Sequence, residues 1–141
     1  VDDYNNIYQV KQGIKISCIY DGNKTYSING IENRVEQIVA NLLDNAISFS
    51  EDNKNIEVRI SKNFKNEVVV NILDEGQGFK EKDTSKIFKR FYSNRPDKFG
   101  QHSGLGLNIV KNLVELHKAS ITALNRTDKN GANLEITFPK P

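Results

Sequence analysis

Hydrophobic positions along the chain recur with two different periods. From Glu32 to Ser50, ENRVEQIVANLLDNAISFS, they follow a helix turning about 100° per residue. Ile31, Val35, Ile38, Val39, Leu42, Ala46 and Phe49 then share one broad apolar face. Asn29 stands where an N-cap belongs. A second helix is predicted from Gly104 to His117, with Leu105, Ile109, Leu113 and Leu116 on one face, plus Val110. Strict alternation marks strands instead: Ile14–Tyr20, Ile56–Ser61, Ala119–Asn125 and Ala132–Phe138, with Asp128–Gly131 as the last turn. The run EVVVNILD, Glu67–Asp74, is apolar enough for a central strand. Lys65-Asn66 joins it to the strand before as an antiparallel pair. Thr25–Ile28 reads as a short strand after the turn Asp21-Gly22-Asn23. Val1–Gln12 carries Tyr4, Ile7, Tyr8 and Val10 at weak helical spacing, stopped by Gly13. From Glu75 to Ser103 neither period holds, apart from Thr84–Phe91, and a stretch this long suggests a functional lid. The expected fold is an α/β (α+β) two-layer sandwich: one mixed, mainly antiparallel sheet with helices on one face. It forms a single domain over 1–141, with the lid at about 79–103.

Composition narrows the chemistry. At 141 residues, 27% charged and 37% hydrophobic, the chain suits one soluble core. A net charge of +2 gives no argument for nucleic acid or a membrane surface. The single cysteine, Cys18, excludes an internal disulfide, fits a reducing compartment and reads as a buried, inert thiol. With only His102 and His117 beside it, zinc is not expected. No apolar run reaches membrane-spanning length, and there is no signal-peptide leader. Lacking an initiator Met, the chain is expected to be a fragment of a longer protein.

Four stretches carry candidate chemistry. On the first helix, Arg34, Gln37, Asn41, Asn45 and Ser48 form a second stripe about 80° wide. Asn is a mediocre helix former, and a solvated face would favour Glu and Lys. Amides one turn apart supply neutral oxygens for a hard cation or a polar ligand. The plainer reading is a wet helix face in an Asn-rich chain. At the end of the apolar strand, DEGQG puts a carboxylate, Asp74, beside two glycines, Gly76 and Gly78, that permit close approach of a ligand. The plainer reading is a strand-ending turn. In KIFKRFY, Lys86 to Tyr92, basic side chains alternate with rings that anchor a lid or simply pack into the core. GQHSGLGL, Gly100 to Leu107, opens a helix whose N–H groups and dipole favour phosphate, or forms a hinge and cap. It is neither a Walker A loop nor the dinucleotide fingerprint.

The order of these motifs resembles the catalytic ATP-binding domain of bacterial sensor histidine kinases, in the superfamily shared with gyrase, Hsp90 and MutL. QIVANLLDNAISFS is similar to the N box, ILDEGQGF to the G1 box, IFKRFY to the F box and HSGLGLNIVKNLVELH to the G2 box. DNAISFS, KRFYSNRP and FGQHSGLGL further resemble the alphaproteobacterial ChvG type. The resemblance implies ATP and Mg²⁺ as cofactors, with Asn45 and Asn41 as metal ligands. It implies that Asp74 binds the adenine amine, that Gly76, Gly78 and Phe79 shape the base site, and that Phe49 lies against the base. Arg90 and Lys89 would meet the phosphates, backbone N–H groups of Ser103, Gly104, Leu105, Gly106 and Leu107 would donate to them, and Tyr92 would join the nucleotide site. His102 departs from the family's usual small lead-in and reads either as a phosphate donor or, more plainly, as an exposed lid residue. No residue is implied as a chemical catalyst; Asn41, Asn45 and Arg90 would position. Gln37 stands where ATP-hydrolysing relatives carry a glutamate, so transfer rather than hydrolysis is expected. Ser48 replaces a common Lys or Arg, with Arg95 as the candidate substitute. His117 reads as a surface histidine favoured by the helix dipole. The phosphoacceptor histidine would lie on a separate dimerisation domain of the full-length kinase. A response regulator would receive the phosphoryl group. The whole would be a membrane-anchored homodimer with this domain cytoplasmic. A regulatory nucleotide-binding module without transfer activity, or a superfamily ATPase, are the alternatives.

Overall fold

A computed structural model describes residues 3–9, 14–50, 54–80, 84–88 and 105–141. Its strands are β1 (Asp3–Gln9), β2 (Lys15–Asp21), β3 (Asn55–Lys62), β4 (Val68–Leu73), β5 (Ser120–Asn125) and β6 (Ala132–Phe138). Its helices are α1 (Glu32–Phe49) and α2 (Leu105–Leu116), with a short 3-10 helix at Thr84–Phe88. The six strands lie in the order β1-β2-β3-β4-β6-β5. Every neighbouring pair is antiparallel except β2 and β3. That parallel pair needs a crossover, and α1 provides it.

Both helices cover one face of the sheet, as the alternation requires. Ile56 of β3, Val68 and Ile72 of β4, Leu134, Ile136 and Phe138 of β6 and Ile121 of β5 form one core cluster with Ile38, Leu42 and Ala46 of α1 and Val110 and Val114 of α2. Phe79, Ile87 and Phe88 belong to the same cluster. The opposite face is more polar: Asn71 of β4 donates to Asn133 and Glu135 of β6, each at 3.0 Å.

Three local expectations are corrected. The segment expected as an amphipathic helix over Val1–Gln12 is strand β1, paired in register from Asp3↔Asp21 to Gln9↔Lys15. Its Tyr and Ile content suits a strand, and pairing satisfies the otherwise bare edge of β2. Thr25–Ile28 makes no ladder. Its apolar alternation records packing of Tyr26 and Ile28 onto the core, and the Tyr26 hydroxyl accepts from Asp21 N–H at 3.0 Å. Asn29 does not cap α1. The N-cap is Ile31, without a side-chain cap, and its N–H donates to Nε2 of His117 at 3.1 Å.

His117 is therefore not a surface residue. It is buried, its Nδ1 lies 2.8 Å from the Leu113 carbonyl, and the pair of contacts fixes the neutral ring with the proton on Nδ1. The ring ties the end of α2 to the start of α1, and a Cβ on Gly30 would lie 3.3 Å from its Cδ2. Because α1 and α2 pack together with these ends joined, the start of α2 lies beside the C-terminal half of α1.

Cys18 is half-buried, and burial pushes its thiol up from the usual value, as expected of an inert thiol. It faces an apolar hollow of about 620 Å³ between α1 and the sheet, lined also by Ile16, Val39, Leu43, Val68 and Phe138. Val68 and Phe138 pair at one end of β4 and β6, opposite the end marked by Leu73 and Asn133. No helix among the described residues is long and apolar enough to cross a membrane.

Candidate functional site

Chain order brings the candidate residues to one end of the sheet. α1 ends at Phe49 and β3 begins at Asn55. The start of β3 lies against the end of β4, Glu57 opposite Leu73, and the end of β4 lies against the start of β6, Leu73 opposite Asn133. The C-terminal half of α1, Asp74 and the first turn of α2 thus share that end.

Asp74 is almost fully buried, at 2% exposure. Its Oδ1 accepts from Gly76 N–H at 3.0 Å and from Ala132 N–H at 3.1 Å. Its own N–H donates to the Ala132 carbonyl at 3.0 Å, which extends the β4–β6 ladder by one step. Backbone donors hold the carboxylate in one orientation.

The β5–β6 turn straps this corner. Arg126 Nη1 donates to the Asp74 carbonyl at 3.2 Å, while Nε and Nη2 grip Asp128 at 3.0 and 2.8 Å. The Arg126 hydrogen bond holds the Asp128 carboxyl down to about 2. The same bond raises Arg126 further above its ordinary value. Glu75 accepts from Asn55 N–H and from Lys129 Nζ, each at 2.9 Å. Burial works to raise its carboxyl, but these two donors outweigh it and the net shift is downward. Gly131, at φ 144°, passes so close that a Cβ there would fall 2.9 Å from the Asp74 carbonyl carbon. Arg126, Gly131 and Ala132 did not stand out in the sequence. Gly131 alone left a signal, as the glycine of a hairpin turn.

On α1 the polar stripe is deeper than a wet face. Asn45 is 6% exposed and Ser48 7%, while Asn41, Gln37 and Phe49 are half-buried. The Ser48 and Ser50 hydroxyls are buried without a hydrogen-bond partner among the described residues. A neutral hydroxyl thus stands at the position where a basic side chain was noted as common. On α2, a Cβ on Gly106 would meet no atom of the described residues within 4 Å, so packing among them does not require glycine there.

Gly78 has φ 77°, and a Cβ there would lie 2.5 Å from Asn125 Oδ1 and 3.2 Å from the Gly131 carbonyl. Protein packing alone therefore demands that glycine. Gly76 is buried beside Asp74, and the Phe79 side chain is part of the core. Lys89, Arg90, Tyr92, Arg95, His102, Ser103 and Gly104 lie outside the described residues, and of Leu105 only its backbone, opening α2, is described.

Among the described residues, no three His, Cys, Asp or Glu side chains converge as a metal cage. Asn41 and Asn45 suit a different arrangement, in which neutral amide oxygens meet a magnesium ion whose charge is balanced by ligand phosphates.

Residues 30–141 match the family described as histidine kinase-, DNA gyrase B-, and HSP90-like ATPase. Sensor protein ChvG of Agrobacterium fabrum is 39% identical over 150 residues, covering 99% of this chain and 25% of that protein. Heme sensor protein HssS of Staphylococcus saprophyticus is 36% identical over 118 residues, covering 83% of this chain and 25% of that protein. The chain thus spans about a quarter of the length of these relatives. Among solved structures, the nucleotide-free catalytic domain of histidine kinase ThkA is 27% identical with a TM-score of 0.76, covering 92% of this chain and 82% of that one. With these matches over most of its length, the chain belongs to the histidine kinase-, DNA gyrase B- and HSP90-like ATPase family, as an ATP-binding domain of the sensor histidine kinase type.

Proposed function

We propose that this domain binds Mg-ATP at the Asn45–Asp74–Gly106 end of the sheet. It presents the γ-phosphoryl group to a histidine on a separate dimerisation domain, in two-component signal transduction. The observation that carries the reading is the convergence of three unlike groups on one end: the amides of α1, a carboxylate locked by backbone N–H groups, and the first turn of α2. Asp74 accepts the adenine amine, with Gly76 beside it and Phe49 against the base. Asn45 and Asn41 give oxygens to Mg²⁺, whose contribution when bound is to offset charge on the phosphates. Backbone from Ser103 to Leu107 donates to the phosphate chain, with Lys89, Arg90, Tyr92 and His102 as further contacts. The lid begins after Phe88, because Phe79, Ile87 and Phe88 are built into the core.

Gln37 supports transfer over hydrolysis, since an amide takes no proton from water at neutral pH. In the full-length protein, a membrane-anchored homodimer with this domain in the cytoplasm, a response regulator receives the phosphoryl group. A second reading, a nucleotide-binding module without transfer activity, is favoured by Ser48, whose buried hydroxyl offers no positive charge to a phosphate. Supplying the histidine-bearing dimerisation domain in trans with labelled ATP separates the two: a labelled histidine supports the kinase, and binding without label supports the module. Asn45→Ala is expected to abolish Mg²⁺-dependent ATP binding with the fold intact by circular dichroism. Calorimetry showing unchanged affinity would remove Asn45 from the site.

A further inference from the structure

A device outside the four sequence motifs sits at the end of β5. Asn125 lays its carboxamide against the backbone of Phe79. Phe79 N–H donates to Oδ1 at 2.7 Å, and Nδ2 donates to the Phe79 carbonyl at 3.0 Å. One planar side chain thereby satisfies both backbone groups of one residue, as a neighbouring strand would. Only Asn and Gln carry an acceptor and a donor on one such plane. The preceding residue fits the clamp: Gly78 lacks the Cβ that would collide with Asn125 Oδ1. The following residue of β5's exit, Arg126, holds the other end of the same loop through the Asp74 carbonyl. Two consecutive side chains therefore grip the segment 74–79 at its entry and its exit. Beyond it, the Thr84 hydroxyl donates to the Ala123 carbonyl, and Asn108 Nδ2 to the Phe88 carbonyl at 3.2 Å.

We infer that Asn125 is a positioning residue for nucleotide binding, acting through the Phe79 backbone to hold the 74–79 loop in the shape that receives the base. The inference rests on the reading of that loop as the base site. Asn125 is exposed, so its hydrogen bonds compete with water and contribute little to global stability. Their effect is local. Because the clamp acts at the base end, it affects every adenine nucleotide equally, whatever its phosphate number.

The test compares the 141-residue chain with its Asn125→Ala and Asn125→Asp variants. The readouts are ATP and ADP affinity by calorimetry, amide exchange at Phe79, and the thermal midpoint. Asn125→Ala is expected to weaken ATP and ADP by the same factor, about tenfold, for two hydrogen bonds lost. Exchange at Phe79 should accelerate while the midpoint stays nearly constant. Asn125→Asp keeps an acceptor for Phe79 N–H but sets a carboxylate oxygen against the Phe79 carbonyl. It should therefore bind no better than the Ala variant despite its near-identical shape. Asn71→Ala, which removes the hydrogen bonds to Asn133 and Glu135 on the far face, should lower the midpoint without changing affinity. Unchanged affinity in Asn125→Ala, or a loss confined to ATP, would overturn the inference. If the unaltered chain bound neither nucleotide, the base-site reading itself would fall and this inference with it, a result distinct from the other two.

Discussion

The Asp74 corner and the Asn45 stripe sit at the same end of the molecule but are built by opposite means. At Asp74 one carboxylate oxygen is held by main-chain donors from the loop after β4 and from the start of β6, and the turn from Arg126 to Gly131 closes over it. At Asn45 the polar atoms ride on side chains of one helix, and the nearby Ser48 hydroxyl has no hydrogen-bond partner among the described residues. The difference follows from what each end is proposed to recognise. A purine amine is neutral and directional, so discrimination requires an acceptor fixed before binding. A magnesium-bound phosphate chain carries its own charge and coordination geometry, so neutral oxygens on a rigid helix suffice. The Asp74 corner should therefore be the part whose disturbance costs stability and binding together. The α1 stripe should be the part where the two separate.

Gly131→Ala tests the corner most severely. At φ 144° an alanine is strained whatever the space, and its Cβ would press on the Asp74 carbonyl. The expected cost is about 3 kcal/mol of stability in urea denaturation, in the range for overpacking against unyielding backbone, with nucleotide affinity falling alongside. A variant of native stability and native affinity would show that the turn does not hold Asp74 in place.

Ser48→Ala probes the stripe, with a smaller effect of opposite sign. Replacing a buried hydroxyl that lacks a partner by a methyl should raise stability by about 1 kcal/mol. ATP affinity should not change, because the proposed contacts come from Asn41 and Asn45. Loss of affinity despite the gain in stability would mean that the hydroxyl meets the ligand, and the ligand contacts would then reach one turn further along the stripe than proposed.

What the sequence disclosed and what it hid divides along the same line. The stripe on α1, the alternation of β3, β5 and β6, the apolar run of β4 and the DEGQG turn are local patterns, each readable from a few neighbouring residues. The strap on Asp74 is not local: Ala132 lies 58 residues away and reaches the carboxylate only because β6 pairs with β4. Nothing in NRTDKNGA distinguishes a turn that closes over a buried acid from an ordinary hairpin end. His117 was misjudged for the same reason, since its partner Ile31 is 86 residues distant. β1 was misjudged because a short segment with apolar residues at mixed spacing satisfies either period, and only the edge of β2 decides between them. Phe79 shows a further limit. An aromatic residue directly after DEGQG invites a ligand role, yet its ring is core and its backbone is what Asn125 holds.

The gentlest probe of the corner is acid. Arg126 holds the Asp128 carboxyl at about 2 against an ordinary 3.8. A depressed folded-state value means that the pair's contribution is fully present above about 3.8 and is lost as pH falls through about 2. Asp128 is exposed, so salt screens the pair and the effect on stability is small. The informative readout is the Asp128 carboxyl resonance itself. It should titrate near 2 in the unaltered chain and move back toward 3.8 in Arg126→Lys, which cannot offer the two-pronged donor. The same substitution removes the donor to the Asp74 carbonyl, so the Gly76 and Ala132 amide resonances report whether the corner depends on that donor. If those resonances stay in place while Asp128 shifts, the ladder to β6 orients Asp74 unaided and the turn only covers it. If they move together, the strap and the carboxylate are one unit.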